Sequence, residues 1–231
     1  DSKGDYHDLT NMISADGILK TENGETYPEL FVMLEYNTRQ MVKRAAPGGA
    51  GLVLDYFSSE PVERYVSYLN SALSKGNISP GTVRCFYNDS YEVFGANWTP
   101  DFLTEFSKRR KYELPPVLKF LADTASGSET RRRIISDYCE TVSDLITDEF
   151  AAMWVRKTHE MRALTRYQAH GSPANLLDLY AIADIPETES FGSSGFKITG
   201  LRNDPDYEEE RFGRPAMLTM KLASSAANIT G

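Results

Sequence analysis

From Gly51 onward, short apolar runs alternate with longer stretches whose apolar residues recur at three- and four-residue steps. This alternation constrains the fold more than any other feature. A strand followed by a helix, repeated, builds a parallel sheet with helices laid on its faces. Runs 52–54, 82–87, 164–169 and 182–185 read as the strands. Helices are expected from Pro61 through Leu73, from a start at Thr99-Pro100-Asp101, over 128–162 and over 215–228. The Thr99 start combines a capping hydroxyl, a proline at the first helical position and an early acid. In the long stretch Ile135, Tyr138, Val142, Leu145, Ile146 and Trp154 share one helical side. An open doubly wound sheet and a (β/α)8 barrel both satisfy the pattern, and four strands are too few for a complete barrel of ~250 residues.

The first 45 residues read differently, as loops and strand-like pieces. Asp16-Gly17 and Asn23-Gly24 are turn signals, and 30–34 is a compact apolar strand. The glycine-rich break at 45–51 separates this N-terminal segment, 1–45, from the region 46–231. No Lys-Ser/Thr follows that break, so it is not a nucleotide phosphate cradle.

The balance of 33 acidic against 25 basic side chains gives a net charge of -8, which argues against a nucleic acid or an anionic membrane as partner. No apolar run approaches the ~20 residues that cross a bilayer, so membrane insertion is not expected. Cys85 and Cys139 have no metal-type spacing and read as two buried free thiols.

In a parallel α/β fold, chemistry collects where strands end and βα loops open onto one edge. Those ends carry Asp55, then Asn88-Asp89-Ser90-Tyr91-Glu92, then His170-Gly171, then the acidic stretch 184–189. Carboxylates gathered on one rim, with no nucleotide motif, point to acid/base chemistry on a neutral substrate. Glycoside hydrolysis needs such a pair: one acid to protonate the leaving oxygen, one carboxylate to activate water or attack.

The stretch Phe86-Tyr87-Asn88-Asp89-Ser90-Tyr91-Glu92, followed by Asn97-Trp98-Thr99-Pro100-Asp101-Phe102, resembles the central signature of the glycoside hydrolase family 106 α-L-rhamnosidases. Phe106, Arg109, Arg110 and Tyr112 continue it. Tyr167-Gln168-Ala169-His170-Gly171-Ser172-Pro173, Asp184-Ile185-Pro186 with Glu189, and Ala223-Ser224-Ser225-Ala226-Ala227-Asn228 follow in the family's order. The resemblance covers about 51–231 and implies an α/β fold, a partial (β/α)8 TIM-type barrel behind a short β-rich or irregular N-terminal segment. It implies release of terminal α-L-rhamnose from plant-type oligosaccharides or polysaccharides, with inversion. Glu92 then stands where the general acid is expected, and Glu189 at a second acidic position linked to a calcium ion on the sugar hydroxyls. The expected base lies beyond Gly231, and the expected location is periplasmic or secreted.

Several residues keep two readings. Asp55 and Asn88 face the expected sugar site. Asp89 either contacts substrate or caps the turn that presents Glu92. Trp98 is a sugar platform or a hydrophobic staple. His170 bonds a sugar hydroxyl or the local backbone. Aromatic neighbours Phe86, Tyr87, Tyr91, Phe94 and Trp98 are expected to bury Glu92. A non-catalytic carbohydrate-binding or structural fragment, lacking its base, is the alternative function.

Overall fold

The computed structural model describes residues 7–21, 30, 32, 37, 40–43, 45–93, 95–122, 127–189 and 217–230. In chain order its elements are α1 (Ser59–Lys75), β1 (Cys85–Asn88), α2 (Phe102–Arg110), α3 (Leu118–Ala122), α4 (Glu129–Leu145), α5 (Met153–Glu160), β2 (Leu164–Gln168), α6 (Leu176–Ile182), β3 (Ile185–Glu187) and α7 (Met217–Thr230). A π-helical segment, Ile146–Ala152, joins α4 to α5. The chain divides into two compact units, Asp1–Tyr36 with Trp98–Thr141 and Asn37–Asn97 with Val142–Gly231.

The first unit has an aromatic core. Phe102 and Phe106 lie one turn apart on α2 and are fully buried with Leu114. Phe102 meets Trp98 and Tyr138 at ring-centroid distances of 4.8 and 5.0 Å. Each such aromatic pair adds about 0.5–1.5 kcal/mol beyond the area it buries. Lys111 ends α2 in the left-handed region, at φ 68°, and its N–H returns to the Ser107 carbonyl. The helix begins at Phe102, later than the Thr99 start expected. Residues 99–101 form a turn in which the Phe102 N–H reaches the Thr99 carbonyl at 3.0 Å.

The second unit holds a parallel sheet in the order β1-β2-β3. Phe86 pairs with Thr165, Tyr87 with Arg166 and Asn88 with Tyr167, while Arg166, Tyr167 and Gln168 pair with Ile185, Pro186 and Glu187. Side chains alternate across a strand, so Thr165 and Tyr167 share the face that packs into the core. Tyr167 there meets Trp154 and Phe150. The other face carries Tyr87, Leu164, Arg166 and Ile185, all exposed. Helices α1 and α5 pack together, as do α6 and α7, where Ala223 and Ala226 are buried.

The structure corrects several expectations. The described residues form three parallel strands, not four, within the mixed α/β arrangement that was expected. Run 52–54 pairs locally: Leu52 bridges Met41 antiparallel, the Val53 N–H donates to the Gln40 carbonyl and the Val42 N–H to that of Gly51. The glycine-rich break 45–51 is the turn of this small hairpin, with Gly48 at φ +79°. Strand 82–87 starts only at Cys85, because the Thr82 N–H closes a turn on Ser79. The fourth expected strand, 182–185, splits between the end of α6 and the start of β3. Helix α1 begins two residues before Pro61, which its first turn tolerates because proline has no N–H and one at that position would lack a helical partner. Both cysteines are free, but Cys85 is only half-buried and Cys139 exposed. Asn23-Gly24, most of 30–34 and the acidic stretch 204–210 lie outside the described residues.

Candidate active site

Because the strands are parallel, the loops after β1, β2 and β3 leave from the same edge of the sheet. Asn88 ends β1, the loop after it carries Asp89 and Glu92, the β2 loop His170, and the β3 loop Glu189. Contacts join the three. The Tyr91 N–H donates to the His170 carbonyl at 3.1 Å. His170 is buried, and its Nε2 lies 3.9 Å from Glu189 Oε2. Gly171 makes the first contact possible: at φ +85°, any Cβ there would sit 2.5 Å from the Tyr91 carbonyl oxygen.

The loop that presents Glu92 is held from several sides. Asp89 accepts from the Ser90 N–H at 2.8 Å and from the Tyr87 hydroxyl at 3.1 Å. Burial, with the Asp89 bond adding to it, pushes the Tyr87 phenol up to about 12, so it remains a donor to that carboxylate. The Tyr91 ring is buried edge-on against Tyr56, 5.2 Å between centroids. Asp55 organises the entry to α1, accepting from the Phe57 N–H and the Asn37 amide, both at 2.9 Å.

Glu92 itself is not buried among aromatics, contrary to expectation. Its side chain is 51% exposed, and its Oε2 is 2.8 Å from Lys43 Nζ. Tyr91 and Val93 on either side are buried. In an extended loop, neighbours point to opposite sides, so burying those two turns Glu92 outward. Trp98 belongs to the first unit, where it stacks on Phe102.

The remaining acids of the 184–189 stretch divide by height on the sheet. Asp184 precedes β3, at the edge opposite the loops. It accepts from the Thr165 N–H at 2.7 Å, the Thr165 hydroxyl at 2.8 Å and His159 Nε2 at 2.9 Å. Glu187 lies at the loop end on the exposed face. Arg166 donates to it, and Gln168 Nε2 does so at 2.7 Å. The Arg166 hydrogen bond holds the Glu187 carboxyl below its ordinary range against the opposing effect of burial. Both Glu187 oxygens are thus taken up by strand side chains, whereas Glu92 and Glu189 stand about half exposed at the rim. Strand alternation, with Arg166, Gln168 and Glu187 on matching registers, was the signal that could have found this network.

Among the described residues no group of three His, Cys, Asp or Glu side chains gathers to hold a metal. Glu189 would supply one oxygen ligand, and Glu187 and Asp184 are taken up by their own partners.

The model of glycoside hydrolase family 106, described as alpha-L-rhamnosidase, matches residues 2–231. A Formosa agariphila protein, provisionally named a beta-glucuronidase, is 30% identical over 202 residues, which are 84% of this chain and 17% of the relative. The solved structure of a rhamnosidase from Novosphingobium sp. PP1Y matches with a TM-score of 0.59 and 28% identity, covering 78% of this chain and 18% of that one. The chain thus spans under a fifth of the length of either relative. With the family match running over nearly every residue, the chain belongs to glycoside hydrolase family 106.

Proposed function

We propose that this chain supplies the acid side of an exo-acting glycosidase that releases terminal α-L-rhamnose from oligosaccharides or polysaccharides. The observation that carries the reading is the joining of three parallel strand ends through Tyr91, His170 and Glu189. Glu92 gives its proton to the glycosidic oxygen as the C1–O bond breaks and the electron pair leaves with that oxygen. Water attacks C1 from the opposite face and passes its proton to a carboxylate base, giving inversion. Glu189, with His170 behind it, binds sugar hydroxyls beside the reacting carbon, and Asp55, Asn88 and Asp89 complete the substrate contacts. Calcium held partly by Glu189 belongs to the same proposal, and metal analysis finding stoichiometric zinc instead would count against it. Among the described residues Tyr87, Arg166 and Ile185 stand exposed on one sheet face, which supports reading the three strands as an arc of a (β/α) barrel, since parallel sheets are ordinarily covered on both faces.

The test is Glu92→Gln in the protein as its organism makes it. Turnover of natural rhamnosides should fall by at least ~10²-fold, the low end for a positioned acid. Aryl rhamnosides with very good leaving groups need less protonation and should lose far less. Near-wild-type turnover of natural substrates removes Glu92 from the mechanism. A panel including aryl β-D-glucuronides decides the sugar, given the name of the Formosa relative. A second reading, a carbohydrate-binding fragment without chemistry, is favoured by the exposure of the Glu92 side chain, which was expected to be buried among aromatics. Sugar binding with no turnover of any substrate would establish it.

A further inference from the structure

We infer that Gln40 and Lys43 are positioning residues for Glu92, so that the hairpin arm 40–43 belongs to the catalytic apparatus; this rests on Glu92 being the acid. Glu92 faces outward, and a glutamate's terminal torsion is broad, so nothing in its own chain fixes the carboxylate plane. Two contacts from one short segment do so. Gln40 Nε2 donates to the Glu92 backbone carbonyl at 2.9 Å, and Lys43 Nζ donates to Glu92 Oε2 at 2.8 Å.

The segment is itself anchored. The Gln40 carbonyl accepts from the Val53 N–H and the Val42 N–H donates to the Gly51 carbonyl, both at 2.9 Å. Asn37, just ahead, is tied to Asp55. Backbone pairing therefore leaves the Gln40 and Lys43 side chains, three residues apart, to reach across to the β1 loop. With Lys43 on Oε2, the other oxygen, Oε1, is the one presented to substrate. An exposed ion pair contributes little to stability, so the pair makes more sense as an orienting device than as a fold contact. A misplacement of the donor by about 1 Å is enough to slow such a reaction strongly.

The experiment compares Lys43→Met, Lys43→Arg, Glu92→Gln and the Lys43→Met/Glu92→Gln double variant, in the protein as its organism makes it. It reads kcat and KM on aryl rhamnosides with poor and good leaving groups. Lys43→Met should lower kcat about tenfold or more on poor leaving groups, within the range a positioned acid supplies. It should leave KM and good-leaving-group turnover nearly unchanged, and Lys43→Arg should restore most of the loss. In the Glu92→Gln background, Lys43→Met should cost nothing further. Equal losses on both substrate types, a change in KM alone, or losses that multiply in the double variant overturn the inference. If Glu92→Gln shows leaving-group dependence and Lys43→Met does not, only the positioning role fails. If Glu92→Gln itself shows none, the acid assignment fails and this inference with it.

Discussion

The two edges of the three-stranded sheet use their acids in opposite ways. Where β2 and β3 begin, Asp184 is closed in by both donors of Thr165 and by His159. Where the strands end, Glu92 and Glu189 stand about half exposed. A carboxylate surrounded by its own chain's donors holds structure together. One held by a long side chain and a loop contact stays available to a ligand. The same short sheet thus ties up its acids at one edge and leaves them exposed at the other, the edge outside the carboxyl ends where parallel sheets bind ligands.

Gly171 is where that separation can be broken most severely. Gly171→Ala places a methyl 2.5 Å from the Tyr91 carbonyl in a backbone region that side chains rarely adopt. It should destabilise by about 1–3 kcal/mol and, by shifting the Glu92 loop, reduce turnover by about 10²-fold. Thermal unfolding and kcat check it, and a variant with wild-type values for both would show that the two loops are not coupled.

Asp184→Ala sharpens the contrast from the other edge. It leaves the buried Thr165 donors without their acceptor, at a cost of about 1–3 kcal/mol, while turnover per folded molecule stays within about twofold. Burial works to raise the Asp184 carboxyl, but the hydrogen bonds from His159 and Thr165 outweigh it and leave it below its ordinary 3.8. The folded chain then binds fewer protons there than the unfolded one. The stabilisation is complete above about pH 4 and drains as pH falls through the folded value. Acid unfolding curves of wild type and variant should therefore converge at low pH. Curves that stay parallel would remove Asp184 from the acid response.

His159→Gln is the mildest change. The ring is half exposed, so its loss should cost about 0.2–1 kcal/mol and leave kcat unchanged. A larger cost would mean that the lower edge relies on the imidazole more than on Thr165.

Periodicity carried a good part of this fold. The apolar spacing in α1 and along 128–162, and the run that became β2, were legible because burial of one face repeats every turn or every second residue. Helix α6 was missed because seven mostly apolar residues are too few to show a period. Its one signal was Asn175, whose side chain accepts from the Leu177 N–H at 3.1 Å. At the site, the family motif pointed to Glu92, His170 and Glu189. It could not say that Tyr91 and Val93 would take the interior and leave Glu92 outside.

By itself the sequence determined the family, the strand-and-helix alternation and the acids that flank the strands, because these depend on residue order and local spacing. Tertiary structure alone decided that 52–54 would pair with 40–42 rather than join the sheet, since three apolar residues carry no information about their partner. It also decided which acids are spent on the fold. Asp184, Glu187 and Glu189 lie within six positions, yet Thr165, Arg166, Gln168 and His159 reach only the first two. Those donors come from other elements, and their reach is set by strand register, a long-range pairing that no local pattern encodes.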